Sequence, residues 1–179
     1  MSSLTVPVTS EDHRLGPDNA PVVLVEYADY ECSHCALAHL IVKQLKKHFD
    51  QQLQVVFRNF PLSQSHPHAK IAAETAEFSA DYDRFWEMQD LIFENHGKLS
   101  REVLLELAGT LKLPIRDLEI AIEVEAHELK IKNDLLGGVR SGVNGTPTLF
   151  INGQRYNGSL RYEDLEEKIN LALTKQVQK

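Results

Sequence analysis

The sequence predicts an α/β fold, one mixed sheet covered by helices and interrupted by an all-helical insertion, and three observations predict it. A nearly continuous apolar run over residues 22–28, Val-Val-Leu-Val-Glu-Tyr-Ala, reads as a central strand buried on both faces. Between Pro67 and Gly142 the chain shows helical spacing and no convincing strand. Strand signals return at Thr148-Leu149-Phe150-Ile151, followed by the hairpin turn Asn152-Gly153.

In chain order, the first strand is followed by a helical pattern, Leu37, Leu40, Ile41, Gln44 and Leu45, running to about Phe49. Gln52 to Phe57 reads as a second strand, which completes a βαβ unit. In the middle, Phe85, Met88 and Ile92 share one helix face, and Val103, Leu107 and Leu111 share another. Pro114 opens a further helix with Ile115, Leu118 and Ile122 on its buried side. A long helix then runs to about Arg140 and stops at Gly142 and Gly145. Gln154 to Tyr156 forms the return strand of the hairpin, and a last helix buries Leu165, Ile169, Ala172 and Leu173. Residues 1–61 and 140–179 are therefore expected to build one sheet domain, with 62–139 as the helical insertion.

The chain has 179 residues and is 42% apolar, enough for a substantial core. No apolar run approaches the roughly 18 residues of a membrane span. The start, Met1 to Asp12, has neither the basic opening nor the apolar stretch of a signal peptide, so a cytoplasmic protein is expected. The alternative is an exported protein whose leader has been removed. There are 19 basic and 26 acidic side chains and no basic stripe, which excludes a nucleic-acid binder. From Glu74 to Asp134 there are 15 acidic and 7 basic residues, read as a solvated helical face.

The two cysteines, Cys32 and Cys35, sit three apart. A disulfide closing so short a loop removes little unfolded-chain entropy, so chemistry explains the pair better than stability does. Cys32 follows a buried strand and stands at the mouth of a helix, where free N–H groups and the helix dipole favour a thiolate. His34, if protonated, adds to that stabilisation. Cys35 lies one turn inside, which suits an attacking and a resolving thiol. Glu26 sits inside the apolar strand, six residues before Cys32. Burial there raises its pKa, and a carboxyl group beneath the thiols can pass protons to and from the inner sulfur. Thr146-Pro147 precedes a strand, where a proline fits the start and a cis bond is one of two options. His66-Pro67-His68 has the look of a metal pair, yet a zinc site would need it beside the cysteines.

Taken together, the acid in the strand, the CxxC containing His34, the helical insertion and the Thr-Pro before a strand resemble the DsbA-like family of thiol–disulfide oxidoreductases, in the thioredoxin superfamily. The stretches Phe57-Arg58-Asn59-Phe60-Pro61-Leu62, Phe85-Trp86-Glu87-Met88 and Gly145-Thr146-Pro147-Thr148 are similar to its compact single-domain bacterial members, and the likeness covers about residues 15–174. The resemblance implies a thioredoxin-like fold, a cis peptide at Pro147 opposite the disulfide, and cysteine-containing protein or peptide substrates. It makes Cys32, Cys35, His34 and Glu26 the expected catalytic residues, and Ser33, Thr146 and Pro147 the expected substrate contacts. It also implies that His66-Pro67-His68 is a helix entry and that no metal is bound. No cofactor beyond the Cys32–Cys35 disulfide is expected, and the protein is expected to be a monomer served by a separate redox-recycling partner. One departure stands out: the inner dipeptide is Ser33-His34 where the best-known members have Pro-His, so the redox potential differs from theirs. Two other readings remain open. One is a non-catalytic metal module built on both cysteines with His66 or His68. The other is a glutathione-dependent isomerase or transferase, which would not need Cys35.

Overall fold

The computed structural model describes residues 2–177. The outermost residues of the expected sheet domain, 1 and 178–179, lie outside that range. The sheet is five-stranded in the order β1-β3-β2-β4-β5. Its strands are β1 (His13–Leu15), β2 (Val22–Ala28), β3 (Leu53–Asn59), β4 (Thr148–Ile151) and β5 (Gln154–Arg155). β2 lies at the centre, parallel to β3 and antiparallel to β4, with Glu26 opposite Phe57 on one side and Leu149 on the other. Both faces of β2 are covered, which is why its sequence is an apolar run rather than an alternation. Between β4 and β5, Asn152 and Gly153 both take positive φ, at 46° and 76°, as a two-residue primed turn requires.

Helix α1 (Ser33–Phe49) links β2 to β3 and carries Lys46 and Lys47 in its last turn, cations placed favourably at the negative end of the helix dipole. It packs with α7 (Tyr162–Val177) on one face of the sheet. There Ile41, Val42, Leu45, Leu165 and Ile169 enclose Val22, Leu24, Val55, Leu149 and Ile151. The other face buries Val25, Tyr27, Val56, Phe60, Val143 and Phe150. Between β3 and β4 run α2 (Ala69–Ala80), α3 (Phe85–Glu94), α4 (Arg101–Thr110), α5 (Ile115–Val124) and α6 (Glu128–Arg140), with no strand among the described residues. Helix α6 approaches β3 so closely that a Cβ on Gly138 would sit 2.8 Å from the Phe60 ring. The helices share a third apolar cluster with Ala28, Tyr30, Phe57 and both cysteines. The thiol pair thus lies at the seam between the sheet and the helical stretch.

One element departs from the sequence reading, and a second was covered there only as part of the helical stretch. β1 is an edge strand pairing His13 with Phe57 and Leu15 with Val55; three residues carry too little pattern to reveal it. α2 has no apolar stripe because it is buried on almost every side, through Ala72, Ala73, Ala76 and Phe78 but also through Glu74, Thr75, Glu77 and Ser79. The buried acids are paired: Glu77 faces His13 Nε2 at 2.8 Å and accepts from Asn59 at 2.6 Å, and Glu74 accepts from the His127 backbone N–H at 2.8 Å.

Candidate active site

The end of β2 delivers Asp29-Tyr30-Glu31 and then Cys32, which stands at the N-cap of α1 in extended geometry with no side-chain cap. The first helical N–H groups are therefore free to serve the sulfur. The Cys32 carbonyl already accepts from Cys35 N at 3.0 Å and Ala36 N at 3.1 Å, so the inner cysteine is fixed within the first turn. Both residues are free thiols. Cys32 is 8% exposed and Cys35 is fully enclosed.

Their electrostatics diverge. The Cys32 thiol is drawn down to about 5, chiefly by a hydrogen bond from the Cys35 thiol, with backbone N–H groups of Cys35 and His34 and hydrogen bonding at Thr146 adding to it, while burial opposes. His34 thus acts on the sulfur through its backbone N–H. Cys35 is pushed up, first by burial and then by its bond to Cys32. Its sulfur also lies 3.4 Å from the Asp29 backbone N.

Across from Cys32, the Thr146–Pro147 peptide bond is cis. The Thr146 carbonyl oxygen lies 3.6 Å from Cys32 Sγ, which places the turn against that sulfur. His34, Thr146 and Pro147 border one depression of about 290 Å³. Ser33 borders another, of about 390 Å³, with the exposed side chains Leu37 and Leu40. The two residues between the cysteines thus face different flanks of the site.

Glu26 is 2% exposed, and burial raises its pKa to about 8. It shares a sheet face with Val22 and Leu24, which pack under α1, and with Ala28, which packs with the cysteines. No hydrogen-bond partner meets its Oε1.

Sequence reasoning missed the clamp that holds the motif. Asp29 is fully enclosed and accepts from Glu31 N at 2.8 Å and Leu62 N at 2.7 Å, with His66 Nδ1 at 2.9 Å from the same Oδ2. That contact with Asp29 raises the His66 pKa against a smaller effect of burial. Beside it, Glu31 accepts from His68 N and faces His68 Nδ1, each at 2.8 Å. The two histidines that looked like a metal pair thus each face an acid of the motif loop. Among the described residues no three of His, Cys, Asp and Glu gather as metal ligands. The one local signal was an Asp at a strand end, a residue type that caps turns.

The comparisons with known proteins agree on the fold. The Thioredoxin_4 family model, described as thioredoxin, matches residues 8–170. Among solved structures, oxidised BdbD from Bacillus subtilis has a TM-score of 0.85 at 23% identity, covering 97% of this chain and 98% of that one. The thiol–disulfide exchange protein alpha-DsbA2 from Wolbachia pipientis has a TM-score of 0.78 at 25% identity, covering 90% and 87%. Curated relatives carry a different name: the Na(+)/H(+) antiporter NhaA 1 of Salinispora arenicola is 39% identical over 170 residues, 94% of this chain and 26% of that protein. NhaA of Herminiimonas arsenicoxydans is 38% identical over 157 residues, 87% of this chain and 25% of that protein. The chain spans about a quarter of the length of these relatives. Among the described residues no helix is long and apolar enough to cross a membrane. The chain belongs to the thioredoxin family, and its fold is that of the DsbA-like thiol–disulfide oxidoreductases.

Proposed function

We propose that this chain exchanges disulfides with cysteine-containing proteins or peptides, with Cys32 as the attacking thiol and Cys35 as the resolving one. The observation that carries the reading is the opposed state of the two sulfurs. Cys32 is partly open at a helix N-terminus and drawn towards the thiolate, whereas Cys35 is enclosed and held as the thiol. The antiporter activity named for the sequence relatives is not carried over, since most of each of those proteins lies beyond the matched stretch.

The Cys32 thiolate attacks one sulfur of a substrate disulfide. A Cys32–substrate bond forms, and the other substrate sulfur leaves as a thiolate. Glu26, once ionised, takes the Cys35 proton, and the Cys35 sulfur then attacks Cys32. The Cys32–Cys35 bond forms and the second substrate thiolate departs. The substrate disulfide is reduced by two electrons and the protein dithiol is oxidised by two; the same steps reversed donate a disulfide. The potential of the pair against that of its compartment sets the direction. A dithiol or disulfide carrier resets the pair. Ser33, Thr146 and Pro147 hold the substrate, the Thr146 backbone offering an edge to an extended segment. His34 lines the groove with Thr146 and Pro147, and its backbone N–H supports the thiolate.

The test is turnover of a model disulfide protein by the wild type and by Cys32→Ser. Loss of exchange in the variant is the expected result. Retained exchange in that variant removes Cys32 as the attacking thiol, and exchange that persists when Cys35 is replaced and glutathione is supplied assigns the site to the glutathione-dependent class instead.

A further inference from the structure

On the β2 face that packs under α1, the buried Oε1 of Glu26 faces no donor. Buried carboxyl oxygens are normally met by a donor or by water. Beside Glu26 lies a pocket of about 90 Å³, bordered also by His39 and Lys43 from α1 and by Gln89 and Asp90 from α3. That is ample room for water, and although Leu15, Val42, Val55 and Trp86 make much of the wall apolar, Glu26, His39, Gln89 and Asp90 supply the polar partners that water needs. Exposure rises along the pocket: the Glu26 residue is 2% exposed, the His39 side chain 10%, the Asp90 side chain 32% and the Lys43 side chain 55%. His39 Nε2 lies 2.8 Å from Asp90 Oδ1, and Lys43 Nζ lies 2.5 Å from Asp90 Oδ2.

We propose that this pocket is the proton exit of the redox site, with His39 as its outer relay and Asp90 as the residue that orients His39. The inference rests on the reading above, in which Glu26 receives the Cys35 proton. Glu26, largely protonated at rest, first loses that proton along this path; as the Cys35 S–H bond then breaks, its electron pair makes the bond to Cys32 and its proton joins the Glu26 carboxylate. The Glu26 O–H then gives the proton through water to His39, and the imidazolium releases it to solvent. With Nε2–H donating to Asp90, Nδ1 is the accepting nitrogen. The reverse sequence brings a proton in when the pair is reduced. Without such a path, an enclosed carboxyl group that has taken one proton cannot take the next.

The charged groups around His39 are Asp90 and Glu94 on α3 and Lys43 on its own helix, with Lys46 and Glu26 on the same pocket. Burial lowers the His39 pKa more than Asp90 raises it, so the ring is a neutral acceptor at neutral pH.

The experiment uses the reduced full chain and an aromatic disulfide reagent whose released thiolate is coloured. The first release reports attack by Cys32, and the second reports resolution by Cys35. His39→Phe keeps a ring stacked on Phe93, where the centroids lie 4.8 Å apart. Asp90→Asn keeps His39 itself and decides the matter if the first variant fails to fold. Both variants should leave the first release unchanged and slow the second at neutral pH, by about tenfold for His39→Phe, since Glu26 still accepts the proton. Added imidazole should restore the lost rate. An unchanged second release in both variants, with Glu26→Gln slow, overturns the exit and leaves the role of Glu26 standing. Slowing that imidazole does not relieve makes His39 a packing residue and also overturns it. An unchanged second release in Glu26→Gln removes the Glu26 reading and the exit together.

Discussion

Replacing Cys35 by alanine and by serine separates the causes of the low Cys32 pKa. The largest cause is the hydrogen bond from the Cys35 thiol, followed by backbone N–H groups and the contact at Thr146, with burial opposing them. Alanine removes the thiol donor and keeps the backbone groups, whereas serine keeps a donor in nearly the same place. A hydrogen bond to a charged acceptor contributes about 1.5–3 kcal/mol. At about 1.4 kcal/mol per unit, that is roughly one to two pKa units. Cys35→Ala should therefore lift Cys32 from about 5 to roughly 6–7, and Cys35→Ser should leave it near its starting value. Ultraviolet thiolate absorbance against pH reads both variants directly. A value unmoved by alanine, or moved as far by serine, would refute the assignment of the Cys35 thiol as the main donor. The low pKa does little for the attack rate itself. At pH 7 the ionised fraction rises about thirtyfold over an ordinary thiol titrating near about 8.5. A Brønsted coefficient of about 0.4–0.5 over roughly 3.5 units removes a similar factor in nucleophilicity. What remains is a better leaving group and a more stable reduced protein. A depressed thiol pKa contributes stability above the unfolded value and loses it as pH falls through the folded one. The advantage of the reduced over the oxidised protein should thus shrink between about pH 8.5 and pH 5.

Glu26→Gln should stabilise the protein near neutral pH as well as slowing the second thiolate release. With its pKa raised to about 8, Glu26 stays protonated in the fold while the unfolded chain ionises, so wild-type stability falls as pH rises from about 4.3 to 8. The loss by pH 7 is roughly 3.5 kcal/mol, visible as a urea midpoint that declines in the wild type and not in the variant; parallel pH profiles would contradict it. Asp29→Ala removes an acceptor for Glu31 N, Leu62 N and His66 at once. It should cost roughly 2–4 kcal/mol in the same assay, and a loss under about 1 kcal/mol would mean that the clamp carries no load.

The central strand, the helix after it and the hairpin were legible because each is a local pattern: an apolar run at 22–28, a helical period from Leu37, and Asn152-Gly153 between two strands. β1 was not, because three residues at a sheet edge show no alternation. α2 was expected only through the resemblance that made His66-Pro67-His68 a helix entry, because a helix buried all round has no stripe of its own to read. The same divide runs through the site. Cys32, Cys35 and Glu26 lie within ten residues, and Thr146-Pro147 stands out before its strand. The partners that position them come from far along the chain: Asp29 meets His66 across 37 residues, and His39 meets Asp90 across 51. Sequence spacing carries no trace of such contacts until the helices fold back on the sheet. The neutral imidazole of His39 and the acid-paired His66 and His68 follow from that folding, not from composition.

The assignment of the two sulfurs is tested most directly by trapping. Cys35→Ser, mixed in its reduced form with an oxidised model protein, should accumulate a covalent complex that reductant dissolves. Peptide mass mapping should place the link at Cys32. Cys32→Ser under the same conditions should form none. A complex linked through Cys35 in the Cys32→Ser protein, or none in either variant while the wild type turns over the substrate, would contradict the account.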